Sequence, residues 1–375
     1  MIYFDNAATT APSEVAANAF LRAGEIFANP SSTHFAGISA NELMRESRSI
    51  IAKTIGAKDS EIVFTPSGTF ANNLAILGAA RAKRRSGNHV IISDSEHPSV
   101  YNTALSLEKE GFKVSLLRTT DGVISEDELK SLITADTVLI SVMLINNETG
   151  AVYDIQRLVR AAKSVNKNVI FHCDAVQAYL KQPISVNALG VDLLSVSSHK
   201  VHGYKGSGAL YIKSGVRIEP ITFGGGQEKS LSSGTESVPL IYAFAAAADE
   251  QHKNLSKNTS RVYELKEYAM RKLTDIGCVP NIPVKPSPYI LSISVPGIRS
   301  EILLNYLSGA KICISAGSAC SAKVKESRVL KAFGISDKAA DTTVRISFSE
   351  YNNEDEIDLL VSSIKSALKN LRKNI

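Results

Sequence analysis

The chain has 375 residues, of which 44% are hydrophobic, and a formal net charge of +5. This size suffices for a large core in two or more lobes. The charges are scattered, and the densest basic run, 81–85, is too short for a nucleic-acid-binding face. The four cysteines contain no C-x-x-C pair, which disfavours a zinc site and fits a reducing compartment. With no signal-like start and no apolar run of ~20 residues, the sequence predicts a soluble, cytoplasmic protein without a membrane span.

Between about residues 60 and 215, apolar runs alternate with amphipathic segments. The runs are rich in β-branched residues and predict strands at EIVFT, HVIIS, KVSLL, TVLISVM, NVIFHCD and DLLSVS. The segments between them predict helices, among them 71–85, 100–110 and 155–165. Such alternation predicts an α/β fold with a mainly parallel sheet, in which ligands bind at the carboxyl ends of strands.

The rest of the chain has a different order of elements. A Gly/Ser-rich break at 223–237 precedes a predicted long helix at 238–275. Strands at SPYILSISV, KICIS and VRISFS and a helix from 300 follow. A last helix from about 353 has one apolar face, formed by Ile357, Leu360, Ile364, Leu368 and Leu371. We predict a large domain at 16–255 and a smaller α+β domain made of 1–15 and 256–375, with the first 15 residues near the site or on the smaller domain.

Two of the predicted strands end in charged residues. Asp174 ends NVIFHCD, and Lys200 follows DLLSVS in the string SSHK. A lysine at the end of a buried strand is costly unless it is paired or chemically used, for example as the amine that forms a Schiff base with an aldehyde cofactor. An acid could pair with the pyridinium nitrogen of such a cofactor. The alternative is a surface lysine that follows a core strand.

Other candidates follow strands as well. In TPSGTFANN, Ser67, Gly68 and Thr69 would place N–H groups and hydroxyls at a helix N-terminus, either as an anion site or as an ordinary N-cap. His97 follows HVIIS and could stack on a cofactor ring or move protons; a loop histidine with a local hydrogen bond is the alternative. Asn147 in INNETG could contact a ring oxygen or substrate, or only hold a turn.

Two residues near the end of the chain are candidates for substrate chemistry. Cys320 lies in ISAGSACSA, a run of small residues after a strand, and is a candidate nucleophile or sulfur carrier. Cys173, within an apolar strand, is expected in the core. Arg345 in TTVRISFS could bind a carboxylate with both its terminal nitrogens or form a structural ion pair.

Together these motifs resemble the cysteine desulfurases, a class V branch of the fold-type I pyridoxal phosphate (PLP) enzymes. The resemblance covers nearly the whole chain, in the order DNAATT, NPSSTH, SGT, EH, NNETG, DAVQ, SSHK, GGGQE, SGTES, SAGSAC and VRISFS. It implies a PLP-transferase fold like that of aspartate aminotransferase, with PLP in the 16–255 domain and the Cys320 loop and Arg345 in the smaller one.

The resemblance also implies roles around the cofactor ring. Lys200 is similar to the Schiff-base lysine, and Asp174 to the acid that pairs with the pyridine nitrogen. Gln177 is similar to the residue that hydrogen-bonds the phenolic oxygen of the ring. His97 resembles the histidine that stacks on the ring, and it is also the candidate for proton transfer to or from the thiol.

Further roles concern the phosphate and the substrate. The matched phosphate-binding residues are Gly68, Thr69, Ser197 and His199. Thr235 resembles a residue that one subunit contributes to the phosphate-binding site of its neighbour, which implies a homodimer. Arg345 and Asn147 resemble the contacts to the substrate carboxylate, and Cys320 matches the cysteine that is persulfidated.

The implied activity is conversion of L-cysteine to L-alanine, with the sulfur left as a persulfide on Cys320. The sulfur would pass to an acceptor protein in iron–sulfur cluster assembly or thiolation. The alternatives are a selenocysteine lyase, another class V lyase or transaminase, or a PLP-binding scaffold of low activity. Phe70, Lys229 and Ser232 depart from the family pattern, as does a shorter segment after Cys320, so partner docking, loop geometry and substrate preference stay open.

Overall fold

The computed structural model describes residues 1–317 and 327–371, and for residue 371 only the backbone. The helices in these ranges are α1 (Glu14–Gly24), α2 (Phe35–Ile55), α3 (Gly68–Ala82), α4 (Pro98–Ser106), α5 (Glu126–Leu132), α6 (Ile155–Val165), α7 (Val186–Leu189), α8 (Val238–Asp275), α9 (Ser300–Gly309), α10 (Arg328–Phe333), α11 (Asp337–Ala340) and α12 (Glu354–Leu371). The strands are β1 (Ile2–Tyr3), β2 (Ile62–Thr65), β3 (His89–Ser93), β4 (Lys113–Leu117), β5 (Thr137–Ser141), β6 (Ile170–Asp174), β7 (Leu193–Ser197), β8 (Gly208–Ile212), β9 (Val279–Pro280), β10 (Ile290–Ser294), β11 (Ile312–Cys313) and β12 (Thr343–Ser347).

The central sheet has seven strands in the order β2-β8-β7-β6-β5-β3-β4. Strands β3 to β7 pair in parallel, and β8 alone among these seven runs against both of its neighbours. The predicted α/β fold with a mainly parallel sheet is confirmed. Because β7, β6, β5 and β3 are adjacent and parallel, the residues that follow them meet at one edge of the sheet.

Local capping sets where the helices at this edge begin. The Ser67 side chain accepts a hydrogen bond from the Phe70 N–H, so α3 starts at Gly68, three residues before the predicted start. His97 caps α4, which starts at Pro98. This helix tightens to a 3₁₀ turn at Leu107–Glu110, so the predicted 100–110 helix is α-helical only in its first part.

A second group of elements follows the central sheet. Strands β12, β10 and β9 form an antiparallel sheet, and β1 pairs in parallel with β11. In α12, Ile357, Leu360 and Ile364 are buried, as the apolar face predicts. Helix α8 packs against α1, α2 and α12. It runs through the predicted boundary at 255/256, and the division into two domains stays a prediction. Within the described ranges, none of the helices has the length and apolarity needed to cross a membrane.

The N-terminal segment contacts both groups of elements. Asp5 forms a β-bridge with Ser347, beyond the pairing of β1 with β11. A few residues later, the carbonyls of Ala7 and Ala8 accept hydrogen bonds from the Lys200 ammonium. The segment therefore reaches from the small sheet to the edge of the central sheet.

Candidate active site

A cavity lies at the carboxyl edge of the central sheet and collects most of the predicted site residues. The predicted residues that line it are Gly68, Thr69, His97, Asn147, Asp174, Gln177, Ser197, His199, Lys200 and Arg345. Thr235 lies apart, on an exposed loop beside a second pocket. Cys320 lies outside the described residues.

Lys200 sits in this cavity without a carboxylate directly bonded to its ammonium in the described chain. Its Nζ donates to the carbonyl oxygens of Ala7 at 2.6 Å and Ala8 at 2.7 Å. Burial, followed by the charges of Lys181 and Arg345, lowers its pKa to about 7. A large fraction of the amine is therefore neutral at physiological pH and able to attack a carbonyl carbon.

Asp174 is 5% exposed and held from two sides. Its Oδ1 accepts from the Val176 N–H at 2.9 Å, and its Oδ2 accepts from Asn72 Nδ2 at 2.7 Å. The same Asn72 nitrogen lies 2.8 Å from Ser99 Oγ. Sequence reasoning missed Asn72, although its place in SGTFANN, on the first turns of a helix that starts at the cavity, was a usable signal.

The protonation state of His97 follows from its contacts. Its Nδ1 accepts a hydrogen bond from the Ser99 N–H at 3.1 Å and lies 2.7 Å from Ser99 Oγ. Since Nδ1 is an acceptor, the proton of the neutral ring is assigned to Nε2. Burial lowers the pKa of His97, and the charges of Lys200 and Arg328 add to this effect while Asp174 opposes it. The ring is thus neutral at physiological pH.

His199 lies beside the lysine and is also neutral. Its Nδ1 is 3.1 Å from Thr9 Oγ1. Burial, and then the positive charge of Lys200, lowers its pKa to about 3. A neutral imidazole at this position can donate a hydrogen bond without adding a second charge next to the lysine.

The NNETG turn is held by Asn146 rather than by Asn147. Asn146 Oδ1 accepts from the N–H groups of Glu148 and Thr149, both at 2.9 Å. Asn147 is 6% exposed, and its Oδ1 has no hydrogen-bond partner among the described residues. The turn-holding alternative therefore applies to Asn146, and the Asn147 amide faces the cavity.

Arg345 forms the structural ion pair that was one of its two predicted roles. It donates to Asp5 Oδ1 and to the Asn147 carbonyl, each at 2.8 Å. Its Nε is buried and has no partner within residues 1–317 and 327–371. Binding of a substrate carboxylate stays a prediction, and it would use a guanidinium that is already oriented.

The described residues on either side of Cys320 are bonded to the edge of the cavity. On one side, Ser315 forms a β-bridge with Arg345. On the other side, Ser327 Oγ donates to Glu148 Oε2 at 2.6 Å, and the Arg328 guanidinium donates to the Glu96 carbonyl and stacks 3.8 Å above the Tyr101 ring centroid. Nothing in the sequence pattern indicated these long-range contacts.

Glu96, just before His97, is fully buried and was not predicted to be special. Its Oε1 accepts from Ser93 Oγ at 2.5 Å and from the Met143 N–H at 2.7 Å, whereas Oε2 has no partner in the described part of the chain. Burial raises its pKa to about 8. The carboxyl is therefore protonated in the folded protein at neutral pH.

Glu96→Gln is expected to remove a pH dependence of stability. The folded-state pKa of Glu96 lies above its ordinary value of 4.5, so wild type loses free energy of unfolding as pH rises from about 4.5 to about 8. One such proton contributes a slope of about −1.4 kcal/mol per pH unit. Urea unfolding at several pH values should show a flatter profile for Glu96→Gln. The exposed control Glu301→Gln should keep the wild-type slope, and equal slopes in Glu96→Gln and wild type would contradict the assignment.

Comparison with known proteins agrees with this fold. Residues 2–360 match the family model described as aminotransferase class-V. The chain is 37% identical over 380 residues to "Cysteine desulfurase 2" of Trichormus variabilis, covering 99% of this chain and 94% of that protein. A solved "NIFS-LIKE PROTEIN" superposes with a TM-score of 0.93 at 36% identity, covering 98% and 99% of the two chains. The structure titled "SspA in complex with cysteine" has a TM-score of 0.84 at 33% identity, covering 94% and 100%.

The fold is therefore that of the class V aminotransferases. Within that class, the chain belongs to the cysteine desulfurase family.

Proposed function

We propose that this protein is a PLP-dependent cysteine desulfurase that converts L-cysteine to L-alanine and leaves the sulfur on Cys320. The observation that carries the proposal is the half-buried Lys200 amine, with its pKa lowered to about 7, in one cavity with Asp174 and His97. Cysteine bound to the similar protein SspA supports the choice of substrate.

The residues of the cavity fit PLP. Asn72, Asn147, Ser197 and Arg345 line it, and each has a buried side-chain polar atom without a partner in the described structure, so the lining contains polar groups whose hydrogen bonds are not all made within the protein. A Cβ on Gly68 would lie only 3.0 Å from Val176 Cγ2, so the start of α3 comes close to the opposite wall of the cavity. Lys200 would hold the aldehyde carbon, Asp174 the ring nitrogen, and the residues at the start of α3 with Ser197 and His199 the phosphate.

The protein's own groups then act in sequence. When bound, PLP supplies the electron sink that makes the substrate Cα proton acidic. Arg345 and Asn147 would orient the substrate carboxylate, and Lys200 would take the Cα proton and return it. His97 can accept the thiol proton of Cys320 at Nε2 of its other neutral tautomer, in which Nδ1–H donates to Ser99 Oγ. The thiolate attacks the substrate sulfur, an S–S bond forms, and the C–S bond breaks with its electron pair left on carbon, which is then protonated to give alanine.

Turnover of L-cysteine by the purified, PLP-loaded protein tests the proposal directly. Alanine and sulfide should form in equal amounts when a thiol reductant releases the persulfide. Formation of pyruvate in place of alanine, or transamination without sulfide, would show a different class V activity. A parallel assay with L-selenocysteine compares the turnover rates of the sulfur and selenium substrates and shows which of the two is preferred.

The fate of the sulfur is a separate part of the proposal. We propose transfer from Cys320 to an acceptor protein of iron–sulfur cluster assembly or thiolation, in the cytoplasm. The family membership supports a sulfur-transfer role.

A homodimer is also part of the proposal. Large apolar side chains are exposed at Phe27 (90%), Phe35 (84%) and Phe223 (86%), and contact with a partner subunit would bury them. Thr235 is exposed and outside the Lys200 cavity of its own chain. Donation of Thr235 to the partner's phosphate would explain its position.

Mixing two damaged variants is expected to restore activity. In a heterodimer of Lys200→Ala with Thr235→Ala, one site receives an intact Lys200 from one chain and an intact Thr235 from the other. Random exchange of subunits should give about a quarter of wild-type activity, above the activity of either variant alone. Alanine formation is the measurement, and Lys200→Ala mixed with itself is the control. A mixture no more active than its parents would contradict donation across the dimer.

A further inference from the structure

A second buried lysine lies next to the Lys200 cavity. Lys181 follows β6 and is 6% exposed. Its ammonium donates to Gln177 Oε1 at 3.2 Å and lies 5.5 Å from the centroid of the Tyr289 ring. No carboxylate lies within ion-pair distance of it in the described chain, although Glu350 acts on it through space. Burial of an ammonium with one neutral acceptor costs free energy of folding. We therefore asked which functional role of this lysine could offset that cost.

The contact with Lys181 fixes the orientation of the Gln177 amide. An ammonium has only donors, so the amide oxygen must face Lys181 and the amide nitrogen must face the other way. Gln177 Nε2 accordingly donates to the Ala7 carbonyl at 2.8 Å. The same carbonyl accepts from Lys200 Nζ at 2.6 Å. A continuous chain of hydrogen bonds thus leads from Lys181 through Gln177 and Ala7 to Lys200.

The charge of Lys181 also reaches Lys200. Burial lowers the pKa of Lys181 to about 8, so its ammonium stays mostly charged at pH 7. The charged groups that face Lys200 are Lys181 and Arg345, which lower its pKa, and Asp5 and Asp174, which raise it. The neighbouring His199 is neutral at this pH. Of the charges, Lys181 has the largest effect.

We propose that Lys181 is a positioning residue for the Lys200 site: its ammonium fixes the Gln177 amide so that Nε2 donates to the Ala7 carbonyl, which also holds Lys200, and its positive charge acts on the Lys200 amine. The proposal deepens the function proposed above and rests on it for the role of Lys200. The electrostatic part is tested on the protein without cofactor, and the orienting part is tested through the release of PLP.

The pH profile of Lys200 acylation in the cofactor-free protein tests the electrostatic part. Trace acetic anhydride labels neutral amines, and peptide mass spectrometry gives the labelled fraction of Lys200 at each pH. Wild type should show a midpoint near 7. Lys181→Met should shift the midpoint upward by about half a pH unit or more, because one positive charge is lost. Lys181→Arg, which keeps the charge, should keep the wild-type midpoint.

A matched control separates this effect from the general cost of changing a buried lysine. Lys266 is also 6% exposed and donates to the Ser287 carbonyl at 2.6 Å, but it does not line the cavity. Lys266→Met should leave the Lys200 midpoint unchanged. An unchanged midpoint in Lys181→Met, or an equal shift in Lys266→Met, would overturn the proposal. If Lys181→Met does not fold, Lys181→Gln removes the same charge and retains a donor for Gln177.

Release of PLP tests the orienting part. Lys181→Met should release PLP about tenfold faster than wild type on dilution, because loss of one oriented hydrogen bond has an effect of about this size. Lys181→Gln, which retains a donor for Gln177, should release PLP at nearly the wild-type rate. Equal rates in Lys181→Met and wild type would contradict this role. The labelling midpoints do not depend on cysteine turnover, so a failure of the proposed function and a failure of this inference give different results.

Discussion

Lys200→Ala is expected to lower alanine formation from L-cysteine by at least about 10³-fold, since it removes both the amine that holds PLP and the base that moves the Cα proton. The structure makes this lysine a better nucleophile than an ordinary one. Among the described residues, its ammonium is bonded only to the Ala7 and Ala8 carbonyls, and its pKa falls to about 7. The same change should abolish covalent attachment of the cofactor. Borohydride reduction followed by peptide mass spectrometry should find the cofactor mass on the Lys200 peptide of wild type only.

The exposed Lys205 provides the control for loss of a lysine from the same turn. Lys205→Ala should keep both activity and attachment. If Lys200→Ala retained wild-type turnover, or if the reduced cofactor were found on another lysine such as Lys181, the assignment of Lys200 would be wrong.

Cys320→Ser is expected to abolish sulfide release while PLP stays bound. A serine hydroxyl is a far weaker nucleophile toward sulfur than a thiolate, so the C–S bond of the substrate stays intact. Alanine formation should fall by about 10²-fold or more, and the visible absorbance of the loaded protein should be unchanged. Mass spectrometry after brief exposure to L-cysteine should show one added sulfur atom on wild type and none on this variant.

The other cysteines offer a matched comparison. Cys313, on β11, is only partly buried, so Cys313→Ser is tolerable and should retain sulfide release. Cys173 is fully buried, as the sequence predicts, and burial raises the pKa of its thiol well above the ordinary value, which makes it a poor nucleophile. Sulfide release by Cys320→Ser at the wild-type rate would show that the sulfur does not pass through Cys320.

Local sequence patterns were sufficient for the elements that position the cavity. The strand ends after Ser93, Ser141, Asp174 and Ser197 fall where apolar β-branched runs stop, with only the run at 137–143 ending two residues early. Parallel order then brings the residues that follow these strands together. The motifs SGT, EH, DAVQ and SSHK could therefore be assigned to one site from the amino-acid sequence alone.

The sequence did not indicate which strands and side chains pair when they lie far apart along the chain. Strand β8 is a short, buried, mainly apolar run like the parallel strands β3, β5, β6 and β7, so nothing in its pattern reveals that it pairs antiparallel with β2 and β7. The pairing of Arg345 with Asp5 joins residues 340 positions apart. From the sequence alone, Glu96 and Lys181 would be expected on the surface, whereas the fold buries both side chains.

The route of the N-terminal segment sets an order on how the site is assembled. Residues 2–8 carry the carbonyls that hold Lys200, yet they are fixed by β11, Arg345 and Ser347, which are synthesised more than 300 residues later. Closing so long a loop has an entropic cost and comes late in folding. A nascent or truncated chain with a complete central sheet would keep the bonds of this segment to Gln177 and His199 but would lack its anchors on the small sheet. All the bonds that fix the acceptors of Lys200 are thus present only in a chain translated at least as far as Ser347.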